Sequence, residues 1–249
     1  MHDDEYRKMA DVEDVMWYYR ALHRHVAAAL RGVAEPDARI LDAGCGTGGL
    51  LRRLAATSAR WRLEGLDFSA IAVEAARVRT GLPVTLGSVT ALPFADGQFD
   101  AVVSCDVVCQ VPDGRAALAE FRRVLKPGGA LVLTMPAYRW MHSYHDRQVG
   151  NLWRCSRGEL NELLRASGLR PTWSSYWNTT TFPLAVVRRK LFPAPEGASD
   201  VFLFPPAIER AFDVLMQLEN VWLRTGSALP FGSSVIVVAR GVDRAAAAW

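Results

Sequence analysis

Hydrophobic and polar residues follow one another along the chain in blocks, with short apolar runs separated by amphipathic stretches. Residues 12–32 place apolar side chains at helical spacing, and the run RILDAG that follows them ends at a glycine, as a buried strand often does. Further apolar runs without polar alternation predict strands at 61–67, 83–89, 99–108 and 130–136. The amphipathic stretches between them predict helices at 49–58, 69–80 and 114–125. This order is typical of a doubly wound α/β fold whose mostly parallel sheet is covered by helices on both faces.

The last part of the chain departs from this alternation. A capping box, Ser156 followed by Glu159, predicts the start of a helix that ends near Gly168. Two strands are predicted after it, at 170–179 and 233–241, which brings the predicted sheet to seven strands.

Two more helical patterns lie between these last strands. We therefore expect residues 182–230 to form a helical insertion that covers the ligand edge of the sheet as a lid. The basic run at 186–192 inside it is expected to be a solvated helix face, with a membrane-touching face as the alternative. No repeat or linker divides the sequence, so we expect one domain, with an N-terminal helical cap over 1–36 and a core over 37–136.

Composition limits the possible partners. The formal net charge of +3, from 29 basic and 26 acidic residues, is too small and too scattered to indicate a nucleic-acid surface. The four cysteines form no C-x-x-C pair, which favours reduced thiols over a disulfide framework or a zinc site. The start of the chain is acidic and polar, and no stretch reaches 18 apolar residues, so we expect a cytoplasmic protein without stable membrane insertion.

The glycine-rich turn ILDAGCGTGGLL, residues 40–51, is the strongest candidate for chemistry. Gly44, Gly46 and Gly49 satisfy the G-x-G-x-x-G spacing of a dinucleotide fold, in which the helix start would face a pyrophosphate. Asp42 would then lie close to two phosphate charges, and like charges repel. The same carboxylate suits a ligand with an ammonium and a sulfonium group beside an adenosine. The turn therefore favours a cationic ligand over a dinucleotide.

Four motifs occur in a fixed order: ILDAGCGTGGLL, LEGLDFS, LPFADGQFDAVVSCDVV and EFRRVLKPGGALVLTMPAY. In order and spacing they resemble the motifs of class I S-adenosylmethionine-dependent methyltransferases. The resemblance implies a Rossmann-like sheet of seven strands with an antiparallel last strand, and S-adenosylmethionine as the cofactor. One subgroup of that family is similar in the segment after TMP, and its members often act in glycan or secondary-metabolite pathways.

The resemblance also implies a cofactor site. Asp42 is expected near the ammonium of the methionine part, and Asp67 on the two ribose hydroxyls, where it would make two charge-assisted hydrogen bonds. Phe68 is expected to pack on the adenine, with a residue that only covers the sheet edge as the alternative. The expected cofactor-binding set is Asp42, Gly44, Cys45, Gly46, Gly48, Asp67, Phe68, Ser88, Val89 and Cys105.

Two departures from the family pattern change the expected chemistry. Ser88 stands where the family commonly has an acid for the adenine amino group. Cys109 and Gln110 stand where many relatives have a Glu-His pair. Cofactor binding is compatible with both changes, but a titratable pair is absent from that loop.

The segment after the strand at 130–136 is rich in polar and aromatic side chains. It begins at the strand end that is expected to lie nearest the reacting centre. His145 is the expected general base, with a pKa near the ordinary value of about 6.5. The expected acceptor-binding residues are Tyr18, Tyr19, Tyr138, His142 and Arg154. No metal ligand is expected.

The sequence thus favours a methyltransferase that acts on a small or medium-sized, partly apolar acceptor. Two alternatives stay open at this point. One is a cofactor-binding partner subunit without catalysis, which the absent Glu-His pair suggests, and the other is a dinucleotide-dependent oxidoreductase.

Overall fold

A computed structural model describes residues 3–195 and 197–241 of the chain. Its centre is a seven-stranded sheet in the order β3-β2-β1-β4-β5-β7-β6. The strands are β1 (Arg39–Ala43), β2 (Arg62–Asp67), β3 (Val84–Leu86), β4 (Phe99–Cys105), β5 (Leu125–Pro136), β6 (Leu169–Trp177) and β7 (Ser234–Gly241). Strand β7 runs antiparallel to both of its neighbours, whereas β1 to β5 pair in parallel. The predicted doubly wound sheet with an antiparallel last strand is confirmed.

Helices cover both faces of this sheet. They are α1 (Asp3–Val12), α2 (Trp17–Arg31), α3 (Gly49–Thr57), α4 (Ala70–Thr80), α5 (Gly114–Val124), α6 (Tyr144–Val149), α7 (Arg157–Ala166), α8 (Phe182–Val186) and α9 (Pro206–Arg224). A π-helical turn, Val187–Leu191, continues α8. Helix α7 begins at the predicted capping box, in which Ser156 accepts from the backbone of Glu159 and the Glu159 side chain accepts from the backbone of Ser156.

Two hydrophobic clusters lie on opposite faces of the sheet. Neighbouring residues of one strand fall into different clusters, Ile40 and Val103 in one and Leu41 and Val102 in the other. Successive side chains of a strand point to opposite faces, so a strand that is covered on both sides must be apolar at every position. This requirement explains the continuous apolar runs in the sequence.

The N-terminal cap and β5 differ from the predicted elements. The cap contains two helices, α1 and α2, instead of one helix over 12–32. Strand β5 begins at Leu125, before the Pro-Gly-Gly sequence, and a register shift between Phe99 and Ala101 accommodates the extra residues.

The insertion between β6 and β7 contributes to the core as well as to the surface. Met216 and Leu223 of α9 are buried in the same cluster as α2. Asp213 of α9 accepts hydrogen bonds from Arg20 at 2.9 Å and Arg24 at 2.6 Å. No helix in the described part of the chain combines the length and apolar character that a membrane span requires.

Candidate active site

A cavity of about 570 Å³ opens at the carboxyl ends of β1, β2 and β4. Parallel sheets of this kind bind ligands at that edge, because the loops that leave the strands diverge there. The first two helices and the insertion close the cavity from the other side. Most of the predicted site residues line it: Tyr18, Tyr19, Asp42, Gly44, Cys45, Gly46, Asp67, Phe68, Ser88, Val89, Cys105, His145 and Arg154.

The glycine turn brings its backbone close to the cavity. The amides of Gly44 and Cys45 both donate to the carbonyl of Leu66, at 2.7 and 2.9 Å, and so tie the turn to β2. Gly44 and Gly46 have φ angles of 90° and 53°, a region that disfavours residues with a Cβ atom. A Cβ on Gly46 would also come within 2.7 Å of the methyl group of Met9.

Gly48 has a different role from the predicted one. It is not among the residues that line the cavity. A Cβ atom there would lie 3.1 Å from Cα of Ala76, so Gly48 allows α3 to begin against α4. Its contribution to the cofactor site is therefore indirect, through the packing of the turn.

Asp67 is held firmly at the end of β2. Its Oδ2 accepts from the amide of Gly46 at 2.9 Å, and its Oδ1 accepts from the amide of Ser69 at 3.0 Å. The hydroxyl of Tyr6 on α1 also donates to Oδ1, at 3.1 Å. Two backbone amides thus fix the carboxylate. The Tyr6 hydroxyl occupies a position on the carboxylate that a ligand hydroxyl could take instead.

Asp42, at the end of β1, is buried, with 1% of its surface exposed. Its Oδ2 has no hydrogen-bond partner among the described residues. Burial, with the nearby Glu13 and Asp67 carboxylates, raises the pKa of Asp42 to about 8. A buried carboxylate without a partner is costly, and a bound cation would satisfy it.

The part of the cavity expected to hold adenine is more open. Phe68 is 60% exposed, and its ring meets the edge of the Tyr6 ring at 6.4 Å. The Ser88 hydroxyl lies 2.8 Å from the hydroxyl of Thr90, and Val89 is buried beside it. Cys105 lines the cavity at the end of β4, where burial raises the pKa of its thiol.

A buried polar cluster around Glu13 was missed by the sequence analysis. Glu13 accepts hydrogen bonds from Thr47 at 2.7 Å and from Arg79 at 2.5 Å, and it lines the cavity near Asp42. Arg79 also bonds Asp14, at 2.8 Å. These contacts fasten the end of α1 to the glycine turn and to α4, and only the fold brings them together.

Asp106 was missed as well. It follows β4 directly, lines the cavity, and has a φ angle of 56°, which aspartate and asparagine tolerate better than most residues. Its Oδ2 accepts from the Tyr18 hydroxyl at 3.0 Å, and its Oδ1 accepts from the Thr134 hydroxyl at 3.0 Å. Burial raises the pKa of this carboxyl from its ordinary value. A polar residue at the end of a buried strand was the signal in the sequence.

The two residues that replace the Glu-His pair support Asp106. The thiol of Cys109 and the side-chain amide of Gln110 both donate to the carbonyl of Asp106, at 3.1 Å each. The loop that lacks the titratable pair therefore stabilises the unusual backbone conformation of an acid beside the cavity.

His145 lines the cavity, but its environment differs from the predicted one. Its Nδ1 accepts a hydrogen bond from the amide of Asp200 at 3.1 Å, so the neutral ring carries its proton on Nε2. Burial and the neighbouring Arg189 lower the pKa of His145 to about 4. The expectation of a pKa near 6.5 is wrong, because the side chain is enclosed by the insertion.

The neighbouring Asp146 serves the backbone and Arg154. It accepts from the amide of Ser143 at 2.9 Å, from Asn151 at 3.1 Å and from Nε of Arg154 at 2.7 Å. The pair of Asp146 and Arg154 is buried and shapes the loop after β5. Arg154 therefore reaches the cavity with its charge balanced.

Two of the predicted acceptor-binding residues lie outside the cavity. Tyr138 has a φ angle of 60°, and its ring stacks on Tyr176 at 5.2 Å and on Trp140 at 5.8 Å. Nε2 of His142 lies 3.1 Å from the carbonyl of Asn151. Neither residue is among those that line the cavity, so contact of either residue with the acceptor stays a prediction.

The insertion supplies a wall that the sequence analysis expected only in outline. Its residues on the cavity are Leu184, Ala185, Arg188, Arg189, Asp200, Val201, Phe202, Phe204 and Phe212. Arg188 and Arg189 bond Asp200 at 3.0 and 2.8 Å, whereas Leu191 and Phe192 are 66% and 75% exposed. The run 186–192 is therefore solvated only in part, since both arginines line the cavity while Lys190 is exposed.

The chain is similar in sequence to known methyltransferases. The family described as a methyltransferase domain matches residues 41–133. The 24-methylenesterol C-methyltransferase 2 of Arabidopsis thaliana is 35% identical over 157 residues, which are 58% of this chain and 42% of the relative. The malonyl-(acyl-carrier protein) O-methyltransferase of Serratia marcescens is 31% identical over 166 residues, 63% of this chain and 60% of the relative. The chain spans about half the length of these curated relatives.

The fold agrees over nearly the whole chain. A chain in the solved complex that contains the Haloferax volcanii Trm112 methyltransferase activator superimposes with a TM-score of 0.63 at 25% identity, over 97% of this chain and 95% of that one. The same family is indicated by the matched segment, by the strand order and by the glycine turn with Asp42 and Asp67. The cofactor of that family is S-adenosylmethionine. Residues 41–133 carry a methyltransferase domain, and the described structure has the fold of class I S-adenosylmethionine-dependent methyltransferases.

Proposed function

We propose that the protein transfers a methyl group from S-adenosylmethionine to a small or medium-sized, partly apolar acceptor held in the cavity, in a biosynthetic reaction. The observation that carries the proposal is the buried Asp42 carboxylate, whose Oδ2 has no partner in the described part of the chain. When bound, the cofactor supplies an electrophilic methyl group on a sulfonium cation. The cavity of about 570 Å³ is in the range of ligand sites in proteins.

The residues at the strand ends fit this cofactor. Asp42 would hold its ammonium, and Asp67 its two ribose hydroxyls, with the turn from Gly44 to Gly46 against its methionine part. Asp67 can accept the ribose only if the Tyr6 hydroxyl gives up or shares its position on Oδ1. Phe68, Ser88 and Val89 would border the adenine.

Asp106 and Tyr18 would face the acceptor. Methyl transfer is an in-line displacement, so a fixed orientation of the accepting atom and the exclusion of water contribute most to the rate. Where the accepting atom carries a proton, Asp106 is the group we propose to take it, because its pKa is raised by burial and its carboxylate already accepts the Tyr18 hydroxyl. The role of Tyr18 is to orient that carboxylate and the acceptor.

The cofactor assignment is tested by isothermal titration with S-adenosylhomocysteine at pH 6.0 and 7.5. The ionised form of Asp42 binds the ammonium, and a pKa of about 8 means that most molecules must release a proton first at pH 6.0. Affinity should therefore rise by roughly twentyfold between the two pH values, with proton release into the buffer. Asp42→Asn should bind more weakly and lose this dependence. Binding of a nicotinamide dinucleotide without binding of S-adenosylhomocysteine would overturn the proposal.

The role of His145 is tested by His145→Gln. Because its Nδ1 is engaged and its pKa is about 4, we expect the variant to keep more than about a tenth of the transfer rate. Near pH 6.5 the pH–rate profiles of the wild type and the variant should have the same shape. A collapse of turnover by a hundredfold or more, with cofactor affinity intact, would instead make His145 the base.

A further inference from the structure

Five aromatic rings form a continuous wall along one side of the cavity, and we call them the aromatic wall. Its members are Phe202, Phe204, Phe212, Trp17 and Tyr18, all of which line the cavity. The successive ring centroids lie 4.8, 5.5, 5.2 and 5.9 Å apart. The insertion supplies three of the rings and α2 the other two. Such a wall favours an elongated apolar ligand over a compact polar one.

Arg188 and Arg189 lie at the end of the aromatic wall that Phe202 forms. Cζ of Arg188 lies 4.8 Å from the centroid of the Phe202 ring. The Nε atoms of Arg188 and Arg189 bond the two oxygens of Asp200, at 3.0 and 2.8 Å. One aspartate therefore orients both guanidinium groups.

Arg189 is the better placed of the two for a ligand. Its side chain is only 12% exposed, and it lines the cavity. Its Nη1 and Nη2 atoms make no hydrogen bond with any residue in the described ranges. A buried atom without a hydrogen-bond partner would be an unsatisfied donor, and neither Nη atom is one. Both atoms are therefore accessible from the cavity or from solvent. A guanidinium presented in this way can bind a carboxylate or a phosphate with two parallel hydrogen bonds.

This end of the cavity carries excess positive charge. Arg188 and Arg189 share Asp200, which neutralises only one of them. The nearby Arg154 is paired with Asp146, and His145 is neutral at pH 7 because its pKa is about 4. One positive charge is therefore left without a partner among the described residues in a largely enclosed site, which favours an anionic ligand group.

The second end of the aromatic wall is the reacting end. The Tyr18 hydroxyl donates to Asp106, which lies beside Cys105 at the end of β4. Asp42 and Asp67 lie at the same edge of the sheet, at the ends of the neighbouring strands. An acceptor with its anionic group on Arg189 would thus extend along the rings toward the cofactor residues.

We propose that the acceptor is an anionic amphiphile, with a carboxylate or phosphate on Arg189, an apolar body along the aromatic wall and the accepting atom near Asp106. This inference rests on the proposed methyl transfer and names its substrate class. A carboxylate and a phosphate share one feature: neighbouring anionic oxygens that can accept hydrogen bonds from the two Nη atoms.

The test uses three probes of equal chain length, dodecanoate, dodecyl phosphate and 1-dodecanol, titrated below micelle formation into protein saturated with S-adenosylhomocysteine. We expect one binding site, with at least one anionic probe bound ten or more times tighter than the alcohol. The stronger of the two anions identifies the group that the site prefers. Equal affinity for all three probes overturns the proposal.

Two variants locate the effect. Arg189→Gln should bring the preferred anion to within about threefold of the alcohol. The matched control Lys190→Gln removes a neighbouring charge that donates to the carbonyl of His142, outside the cavity, and should leave the preference unchanged. Retention of the preference in Arg189→Gln overturns the proposal. If Arg189→Gln does not fold, the ranking of the three probes on the wild type still decides.

The cofactor titration is recorded separately, so the two proposals can fail independently. Normal binding of S-adenosylhomocysteine without a preference for anions would contradict the substrate class alone. An anion preference without S-adenosylhomocysteine binding, measured on protein with no ligand added, would contradict the proposed function.

Discussion

Asp67→Asn is expected to weaken the binding of S-adenosylhomocysteine by about ten-fold to a few hundred-fold. The carboxylate lies at the end of β2, where the amides of Gly46 and Ser69 hold both of its oxygens in place. A ligand that presents two neighbouring hydroxyls loses a charge-assisted hydrogen bond when the carboxylate becomes an amide. Isothermal titration gives the change in dissociation constant directly.

Tyr6→Phe is the matched control for this substitution. It removes the hydroxyl that donates to Oδ1 of Asp67 and leaves the carboxylate in place. The control should bind S-adenosylhomocysteine within about threefold of the wild type or more tightly, because a competing donor is gone. An unchanged dissociation constant in Asp67→Asn would mean that the ribose binds elsewhere.

The second large effect is expected from Asp106→Asn, which should lower turnover by about a hundred- to ten-thousand-fold if the accepting atom carries a proton. Asparagine tolerates the φ angle of 56° at this position, so the backbone should be conserved. The wild-type rate should fall as the pH drops through the raised pKa of Asp106, because only the ionised carboxylate accepts a proton. The pH–rate profile and the rate constant of single turnovers measure both features.

The matched control is Tyr18→Phe, which keeps the ring of the aromatic wall and removes the hydroxyl on Asp106. It should lose less activity than Asp106→Asn and keep the acidic limb of the profile. Cofactor affinity should stay within about threefold of the wild type in both variants. An Asp106→Asn enzyme with more than a tenth of the wild-type rate would remove Asp106 from the proton transfer.

Point substitutions test the lid prediction for 182–230 better than a deletion does. Met216 and Leu223 of α9 are part of the buried core, and Glu219 accepts from the amides of Asn178 and Thr179. Removing the segment would expose that core and obscure any effect on the cavity. The lid function itself stays a prediction, supported by the insertion residues that line the cavity.

The central sheet, and the residues that it brings to the cavity edge, could be predicted because strong physical requirements mark them in the sequence. Strands covered on both faces must be apolar throughout, and glycines are needed where the backbone turns with positive φ. Asp42 and Asp67 each lie at the carboxyl end of such a strand, so topology alone brings them to one edge. Their separation along the chain does not matter once the strands are neighbours.

The acceptor side could not be predicted as well, because it depends on the direction of side chains in short loops. Tyr138 follows the correct strand, but its positive φ turns the ring outward onto Tyr176. His145 is enclosed by Asp200 from a distant segment, which changes its tautomer and its pKa. Tyr6 and Glu13 reach the site only because α1 folds back over the glycine turn. No local pattern in the sequence specifies these contacts.

A crystal structure with S-adenosylhomocysteine bound tests the central claim most directly. The account predicts the amino group within hydrogen-bond distance of the Asp42 carboxylate, both ribose hydroxyls on Asp67, and the sulfur on the side of the cavity that Asp106 and Tyr18 line. A ligand whose ribose contacts neither oxygen of Asp67, or whose amino group points away from Asp42, would contradict the account.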